Sequence, residues 1–484
     1  MSTRYRKSDD KNKIKSKGKG LNAGTGNCSN IYISSKRHSQ KPTPGANNAT
    51  VSPKVPTANP KLTPAYPARE LGIKDILKRF FITLGAVLGV GIVVIVILTL
   101  PRYLKTHTEE EVNFLSFVEA IPETLATVQE PLTEIEEEPK GKYDDVLSDP
   151  EYMSSNNIYT REGAEDGKVS LMFTGDMLFD DEYAVMSSLK IRGGELSSSI
   201  PEETLEVMRS ADILTVNNEF PYTERGTRQE DKKFTFRADL DTVNYLNDLG
   251  ADVAILANNH VYDFGEQGLI DTLDTLGGAG VIPLGAGRNI KEASRPVYFI
   301  VNDIKVALIA ATEIEQLDIP NTKGATEDSP GVFRSWNSDL IYSVIAEAKE
   351  NADFVIVCMH WGRESESEPD YWQTLKAPKI VEAGADVIIG DHPHVLQGVY
   401  YFGDVPCIYS LGNYWFNGKT QDTGLVELKV TKEGLESFRF IPAVQSNYST
   451  HIAEGEDKTR ILNSMRALSP QAVISEDGIV RKSY

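Results

Sequence analysis

Twenty-one consecutive residues without a charge, Phe80 to Leu100, divide this chain and set limits on everything around them. Val, Ile, Leu and Gly dominate the run, Lys78-Arg79 and Pro101-Arg102 bound it, and its length suffices to cross the hydrocarbon core of a bilayer. A cleaved signal peptide has a shorter apolar segment, lies nearer the start and ends in small residues. Here residues 1–79 come first, so the run predicts an uncleaved, single-pass transmembrane helix over 80–100 that engages the lipid bilayer. Lys and Arg crowd its N-terminal side while Glu109, Glu110 and Glu111 follow the other, which places the N-terminus in the cytoplasm and everything beyond residue 102 outside.

The two sides differ in charge. Residues 1–79 carry 17 Lys+Arg against 4 Asp+Glu among Ser, Asn, Pro and Gly, a composition that cannot bury a core and reads as a disordered basic cytoplasmic tail. The remainder holds 33 Lys+Arg and 66 Asp+Glu, so the overall −20 conceals segments of opposite sign. An acidic body is a poor partner for nucleic acid, and none is expected. Residues 101–165, rich in Glu, Asp, Pro and Ser, read as an acidic stalk, with a short helix in the patch from Phe114 to Val128. Cys358 and Cys407 lie in apolar runs where a buried free thiol is the ordinary expectation, and no disulfide framework is implied.

From residue 166 to 450 short apolar runs alternate with amphipathic segments, the pattern of an α/β domain with a mostly parallel sheet under covering helices. The runs are Val169 to Phe173, Ile213 to Val216, Val253 to Leu256, Val306 to Ala310, Phe354 to Cys358, Val387 to Ile389 and Ile408 to Leu411. Helices are predicted near 201–210, 265–279, 338–351 and 373–384, with Asp263 and Glu266 making a capping-box pattern before the second. Residues 451–484 form a C-terminal extension with one amphipathic piece, Thr459 to Leu468.

Five of these runs end in residues that can ligate a metal. They read Thr174-Gly175-Asp176, Asn217-Asn218-Glu219, Asn258-Asn259-His260 with Asp263 beyond, His360-Trp361-Gly362, and Gly390-Asp391-His392-Pro393-His394. Ligands in open α/β sheets gather at the carboxyl ends of strands. Of seven histidines, His260, His360, His392 and His394 sit at such ends. Carboxylate, amide oxygen and imidazole together suit a divalent ion such as Mn, Fe or Zn, and the lack of Cys ligands argues against a purely structural zinc site. Taken singly, Gly-Asp is more often a turn, Asn-Asn-His a capping loop, and His360 a packed core residue. His392 and His394, two apart on extended backbone, present both rings to one side, and the proline between them stiffens the loop.

In this order, Phe173-Thr174-Gly175-Asp176, Asn217-Asn218-Glu219, Ala257-Asn258-Asn259-His260 through Asp263 and Gly265, His360-Trp361-Gly362, Gly390-Asp391-His392-Pro393-His394-Val395 and Tyr409-Ser410-Leu411-Gly412-Asn413 resemble the CapA family of capsule and poly-γ-glutamate synthesis proteins. That family is similar to calcineurin-like metallophosphoesterases, so the resemblance implies a four-layer α-β-β-α sandwich over nearly all of residues 168–445. It also implies Asp176, Glu219, Asn259, His360, His392 and His394 as metal ligands, with Glu219 bridging if two ions bind. His260, with Asp263 beside it, matches the histidine that protonates a leaving group. Two departures stand out: Leu178 occupies the position of a second ligand histidine, which leaves one ion a ligand short, and Glu219 replaces a shorter bridging Asp.

The expected activity is metal-dependent hydrolysis at the outer face of the membrane during exopolymer synthesis or release, alongside a membrane-bound polymer ligase complex. Arg237 and Arg363 are the candidates to hold an anionic polymer or phosphoester substrate, or else to make surface salt bridges. The alternatives are a non-catalytic scaffold or export component with a purely structural metal, which Leu178 favours, and a phosphoesterase unrelated to capsule, since a fold does not choose a substrate.

Overall fold

All seven apolar runs become strands: Val169–Met177, Ile213–Asn218, Val253–Ile255, Ile304–Thr312, Phe354–His360, Val387–Asp391 and Val405–Leu411. The computed structural model describes residues 141–484 apart from 231, 315–321 and 337. The basic tail, the predicted span at 80–100 and the stalk up to residue 140 lie outside the described residues, among which no helix is long and apolar enough to cross a membrane.

The strands form two large mixed sheets rather than one mostly parallel sheet. A seven-stranded sheet runs in the order Ile158–Thr160, Val297–Val301, Ile304–Thr312, Phe354–His360, Val387–Asp391, Val405–Leu411, Leu396–Phe402. An eight-stranded sheet runs Ser449–Ile452, Gly434–Ser446, Gln421–Thr431, Val169–Met177, Ile213–Asn218, Val253–Ile255, Ile282–Leu284, with Asn413–Trp415 also paired to Val169–Met177. The strands that carry the polar clusters pair in parallel, 169–177 with 213–218, 213–218 with 253–255, and 354–360 with 387–391. The long hairpin Gln421–Thr431 with Gly434–Ser446 is antiparallel and joins Val169–Met177 antiparallel on its other side, so that strand divides the parallel from the antiparallel half of its sheet.

Alternation along each strand explains the layering, because successive side chains point to opposite faces. Leu171 and Phe173 join Leu308, Ala310, Ile356, Cys358 and Ile389 in one apolar layer between the sheets. Met172 and Leu214 face the other way, onto the helices Ala184–Ile191, Glu202–Arg209 and Gly265–Ala279. Ala307, Ile309, Val355 and Val357 likewise meet the helices Ser338–Asn351 and Tyr371–Glu382. Covered on both faces, these strands read as continuous apolar runs. The result is a mixed α/β, sheet-rich domain with helix, sheet, sheet and helix in turn.

Three sequence expectations need correction. The domain takes in part of the predicted stalk: Ile158–Thr160 is an edge strand paired with Val297–Val301, and Tyr143 is buried against the outer face of the same sheet. Residues beyond 450 are no appendage, since Ile461, Leu462 and Met465 of the helix Gly455–Leu468 enter the apolar layer between the sheets, as do Ile474 and Val480. That helix packs on Leu396–Phe402 and Gly434–Ser446, closing the gap where the two sheets end. Finally, Asp263 does not cap the helix Gly265–Ala279, whose N-cap is Phe264; its carboxylate is engaged by His260, Lys232 and Phe236 instead.

Candidate metal centre

The cluster forms where the carboxyl ends of the parallel strands in both sheets meet. Asp176 is the penultimate residue of its strand, and pairing with Ile213–Asn218 slips between Phe173 and Asp176, an irregularity that re-aims the carboxylate. The Asp176 N–H donates to the Gly412 carbonyl at 2.9 Å. At Gly412, with φ +68°, the chain leaves the first sheet after Leu411 and joins the second at Asn413. Gly175 makes this crossing possible, since a Cβ there would stand 2.0 Å from the Gly412 oxygen.

Around Asp176 the side chains interlock. Its Oδ1 accepts from Asn217 Nδ2 at 2.7 Å and from the His392 backbone N–H at 3.3 Å, and its Oδ2 lies 3.0 Å from His394 Nδ1. Asn413 Oδ1 reaches the same His394 nitrogen at 2.9 Å. On the other side of Glu219, His360 Nε2 lies 2.8 Å from Asn259 Oδ1, 3.1 Å from His392 Nδ1 and 3.7 Å from Glu219 Oε1. Glu219, His360 and His392 thus offer one ligand atom each within 4.8 Å of one another, and Asn259 Oδ1 adjoins the His360 nitrogen. His392 and His394 are not on extended backbone as expected: their φ values are +99° and +58°, and in this turned loop His392 joins Glu219 and His360 while His394 joins Glu219 and Asp176. Asn258 is structural, its Oδ1 accepting the backbone N–H groups of His260 and Val261 at 3.0 Å each.

His260 Nδ1 lies 2.8 Å from Asp263 Oδ2, while its Nε2 faces Glu219 Oε1 at 3.8 Å. Asp263 also accepts from the Phe236 N–H at 2.7 Å and from Lys232 at 2.6 Å, and Lys232 reaches the Asn259 carbonyl as well. Phe236 packs on the His260 ring, centroids 4.2 Å apart. Burial pushes the Asp263 carboxyl up to about 7, against the nearby Lys232 charge. Burial also holds His260 well below the ordinary imidazole value. The 2.8 Å contact aligns His260 Nδ1 with Asp263 Oδ2 for a shared hydrogen bond.

Burial holds His360 and His392 well below the usual value too, so both present neutral imidazole. His394 goes the other way, because hydrogen bonding and charge from Asp176 outweigh the penalty of its burial. Glu219 and Asp391 are raised well above the ordinary carboxyl range, first by burial and then by the neighbouring Asp176 carboxylate. Both Glu219 oxygens, Asn217 Oδ1 and Asp391 Oδ1 are buried without a hydrogen-bond partner among the described residues. Buried polar atoms are ordinarily satisfied, and a cluster of orphaned acceptors beside neutral imidazoles is the donor set of a cation site. Two ligand groups fit one, Glu219 with His360 and His392, and Asp176 with Glu219 and His394, each with its ligand atoms within 4.8 Å of one another. The buried cluster can therefore bind a metal ion.

The six residues expected as ligands, Asp176, Glu219, Asn259, His360, His392 and His394, come together, with His260 and Asp263 beside them. The two arginines do not join them through any contact among the described residues: Arg237 lies over the Phe264 ring at 4.6 Å and 3.7 Å from Glu182, and Arg363, 72 % exposed, sits 3.8 Å from Asp370. Asn217, Asp391 and Asn413 were visible in the motifs but had no role. Lys232 had no signal at all, being separated from Asp263 by thirty-one positions.

A family model described as "Bacterial capsule synthesis protein PGA_cap" matches residues 170–418, which include every residue of the cluster from Asp176 to Asn413. The chain belongs to this capsule synthesis family. It is 31 % identical over 284 residues to the "PGA biosynthesis protein CapA" of Bacillus subtilis, spanning 57 % of this chain and 72 % of the relative. To the "Capsule biosynthesis protein CapA" of Bacillus anthracis it is 32 % identical over 269 residues, 53 % of this chain and 64 % of that one. A "Probable polyglutamine synthesis accessory protein" of Mycobacterium tuberculosis is 30 % identical over 220 residues, 44 % of this chain and 58 % of its own. The layered pair of sheets is consistent with the metallophosphoesterase-type fold expected for this CapA-like chain.

Proposed function

We propose that the domain is a metal-dependent, hydrolase-type centre serving capsule or poly-γ-glutamate synthesis or release on the outer side of the cell membrane, anchored through Phe80–Leu100. The observation that carries this reading is Glu219, fully buried, both oxygens without a hydrogen-bond partner among the described residues, and common to two ligand groups. Glu219, Asn259, His360 and His392 would hold one divalent ion, Mn, Fe or Zn. Asp176, Glu219 and His394 would hold a second less tightly. A divalent ion there supplies Lewis-acid activation of water and of a phosphoryl or carbonyl group. Asn217 fixes the Asp176 carboxylate, and Lys232 with the Phe236 N–H fixes Asp263, which in turn sets the His260 ring. His260 Nε2 points into the cluster and is the group positioned to give a proton to a departing oxygen or nitrogen.

A scaffold role for the domain within a polymer ligase complex is favoured by one observation: Leu178, at the position of a missing histidine ligand, is buried in the apolar cluster with Met177 and Phe179. The two readings separate in one experiment. The full-length protein, loaded with manganese and with its metal content measured, is assayed on a phosphodiester and on γ-linked glutamate oligomers, and His260→Ala is tested for polymer production in cells. The hydrolase reading expects turnover of one substrate and its loss in the variant with metal retained. Metal-loaded protein that cleaves neither, together with full polymer production by the variant, leaves the scaffold.

A further inference from the structure

At the opposite end of the strand Ile304–Thr312 from the metal ligands lies a cavity of about 410 Å³ that the hydrolase reading does not use. Lys305, the second residue of that strand, lines it together with Lys291, Arg295, Tyr298 and Glu347. Seven residues, roughly 23 Å at the usual rise, separate Lys305 from Thr312, whose hydroxyl donates to the His360 carbonyl at 3.2 Å. Tyr143, near the start of the described chain, stands beside the cavity, its ring centre 6.0 Å from the Lys305 ammonium.

A lysine is almost never buried without a partner, yet Lys305 is only 7 % exposed and its ammonium donates to no acceptor among the described residues. Its contacts are the faces of two rings, Tyr298 at 4.6 Å and Tyr143. The neighbouring Asp353 carboxylate is already engaged by Lys142, by the Tyr143 hydroxyl at 2.9 Å and by the Lys305 backbone N–H at 2.8 Å. Burial lowers the Lys305 ammonium from its ordinary value against the pull of the Asp353 charge, a penalty that an anion within reach offsets. Burial also pushes the Tyr298 hydroxyl up to about 12, so it stays a donor at neutral pH, and it too lacks a hydrogen bond among the described residues. The rest of the wall has the same sign. Arg295 donates to the carbonyls of Ser154 and Ser155 and meets no carboxylate among the described residues, and exposed Lys291 makes no ion pair with them. Three cations therefore share this cavity with one carboxylate, Glu347.

We propose that this cavity binds a phosphoryl dianion, with Lys305 as its buried cation, Lys291 at its mouth and the Tyr298 hydroxyl as a further donor. A phosphate monoester carries about −1.5 to −2 charges at pH 7 and three strong acceptor oxygens, which answers both the surplus of positive charge and the uncommitted donors. A carboxylate fits less well. It is a single charge that pairs best with a planar guanidinium fork, and the Arg295 fork is turned to backbone carbonyls while lysine acts as a point charge. The cavity leaves room beyond the phosphoryl group for an organic part. The ligand is thus a soluble phosphate monoester or the phosphomonoester headgroup of a lipid, which share this chemistry. The site stands apart from the hydrolase reading and needs no metal.

The test is equilibrium dialysis of radiolabelled inorganic phosphate against the full-length protein in detergent, as purified and again after treatment with a chelator. Phosphate retained after chelation belongs to this cavity rather than to the metal centre. Lys305→Gln is expected to weaken that phosphate about tenfold or more, as loss of a charge-assisted hydrogen bond does, and Lys291→Gln and Tyr298→Phe to weaken it less. Glycerol 3-phosphate and dihexanoyl phosphatidic acid then compete in separate arms. Tighter competition by the lipid assigns a headgroup, equal competition by the two assigns a soluble ester, and either result upholds the site. No phosphate retained by the chelated wild type, or equal retention by wild type and Lys305→Gln, overturns it. So does displacement by acetate as effective as by glycerol 3-phosphate, which removes the preference for a dianion. Should Lys305→Gln melt early, Lys291→Gln decides the matter, since that side chain is exposed and its replacement disturbs no packing.

Discussion

Asn217 shows how one uncharged side chain can organise a charged site. Its amide donates to Asp176 Oδ1 at 2.7 Å and lies 3.4 Å from His360 Nδ1, so it touches a member of each ligand group. Partners that orient metal ligands typically account for 10- to 100-fold in affinity. Asn217→Ala should therefore weaken manganese binding by about that factor in a titration calorimeter, with the far-ultraviolet circular dichroism unchanged; an unaltered affinity would show that Asp176 needs no such help. Asp180 offers a prediction about pH. It accepts backbone N–H groups from Glu182 at 2.7 Å and Arg237 at 2.6 Å, yet burial pushes its carboxyl up to about 6. The folded value lies above the unfolded one of about 4, so the contribution of this group to stability is complete below that pH and is lost as pH rises through about 6. Urea melts at a series of pH values should show the wild type losing up to roughly 3 kcal/mol relative to Asp180→Asn between pH 4 and 7.5. Parallel stability curves for the two proteins would contradict it.

Helices and strands were recovered from sequence wherever their periodicity was complete within one segment. The helices Gly265–Ala279 and Ser338–Asn351 have the predicted bounds, and Glu202–Arg209 and Tyr371–Glu382 fall within two residues of theirs. The capping box at Asp263 failed because the same carboxylate has a stronger partner in the tertiary structure, His260, whereas Asp370 and Gln373 make a true capping box on Tyr371–Glu382. The long hairpin from Gln421 to Ser446 went unassigned, though Glu427 to Val430 alternates in the manner of a half-buried strand. Most instructive is Gly455–Leu468, expected as part of a separate extension. Leu462 is fully buried between the sheets, so Leu462→Ala should cost about 2–5 kcal/mol in a denaturant melt. Ending the chain at residue 453 should abolish cooperative unfolding; an unchanged midpoint would mean that the helix is dispensable.

For the whole molecule, the charge on either side of Phe80–Leu100 predicts where the domain resides. Alkaline phosphatase fused after Tyr484, active only outside the cytoplasm, should be active in cells, and deleting 80–100 should release the protein from the membrane fraction. Inactive fusions of normal abundance would reverse the proposed orientation. The sequence by itself determined the alternation of strands and helices, the strand-end motifs from which six candidate ligands were named by resemblance, and the family, because apolar periodicity and strand-end motifs are local and survive being read in a line. Only the tertiary structure decided that two sheets share one site, that Gly175 and Gly412 let the chain pass between them beside Asp176, and that Lys232 stands near it. Those relations join residues far apart in the chain, and no local pattern records which distant carbonyl, carboxylate or cavity wall a side chain will meet once the layers close.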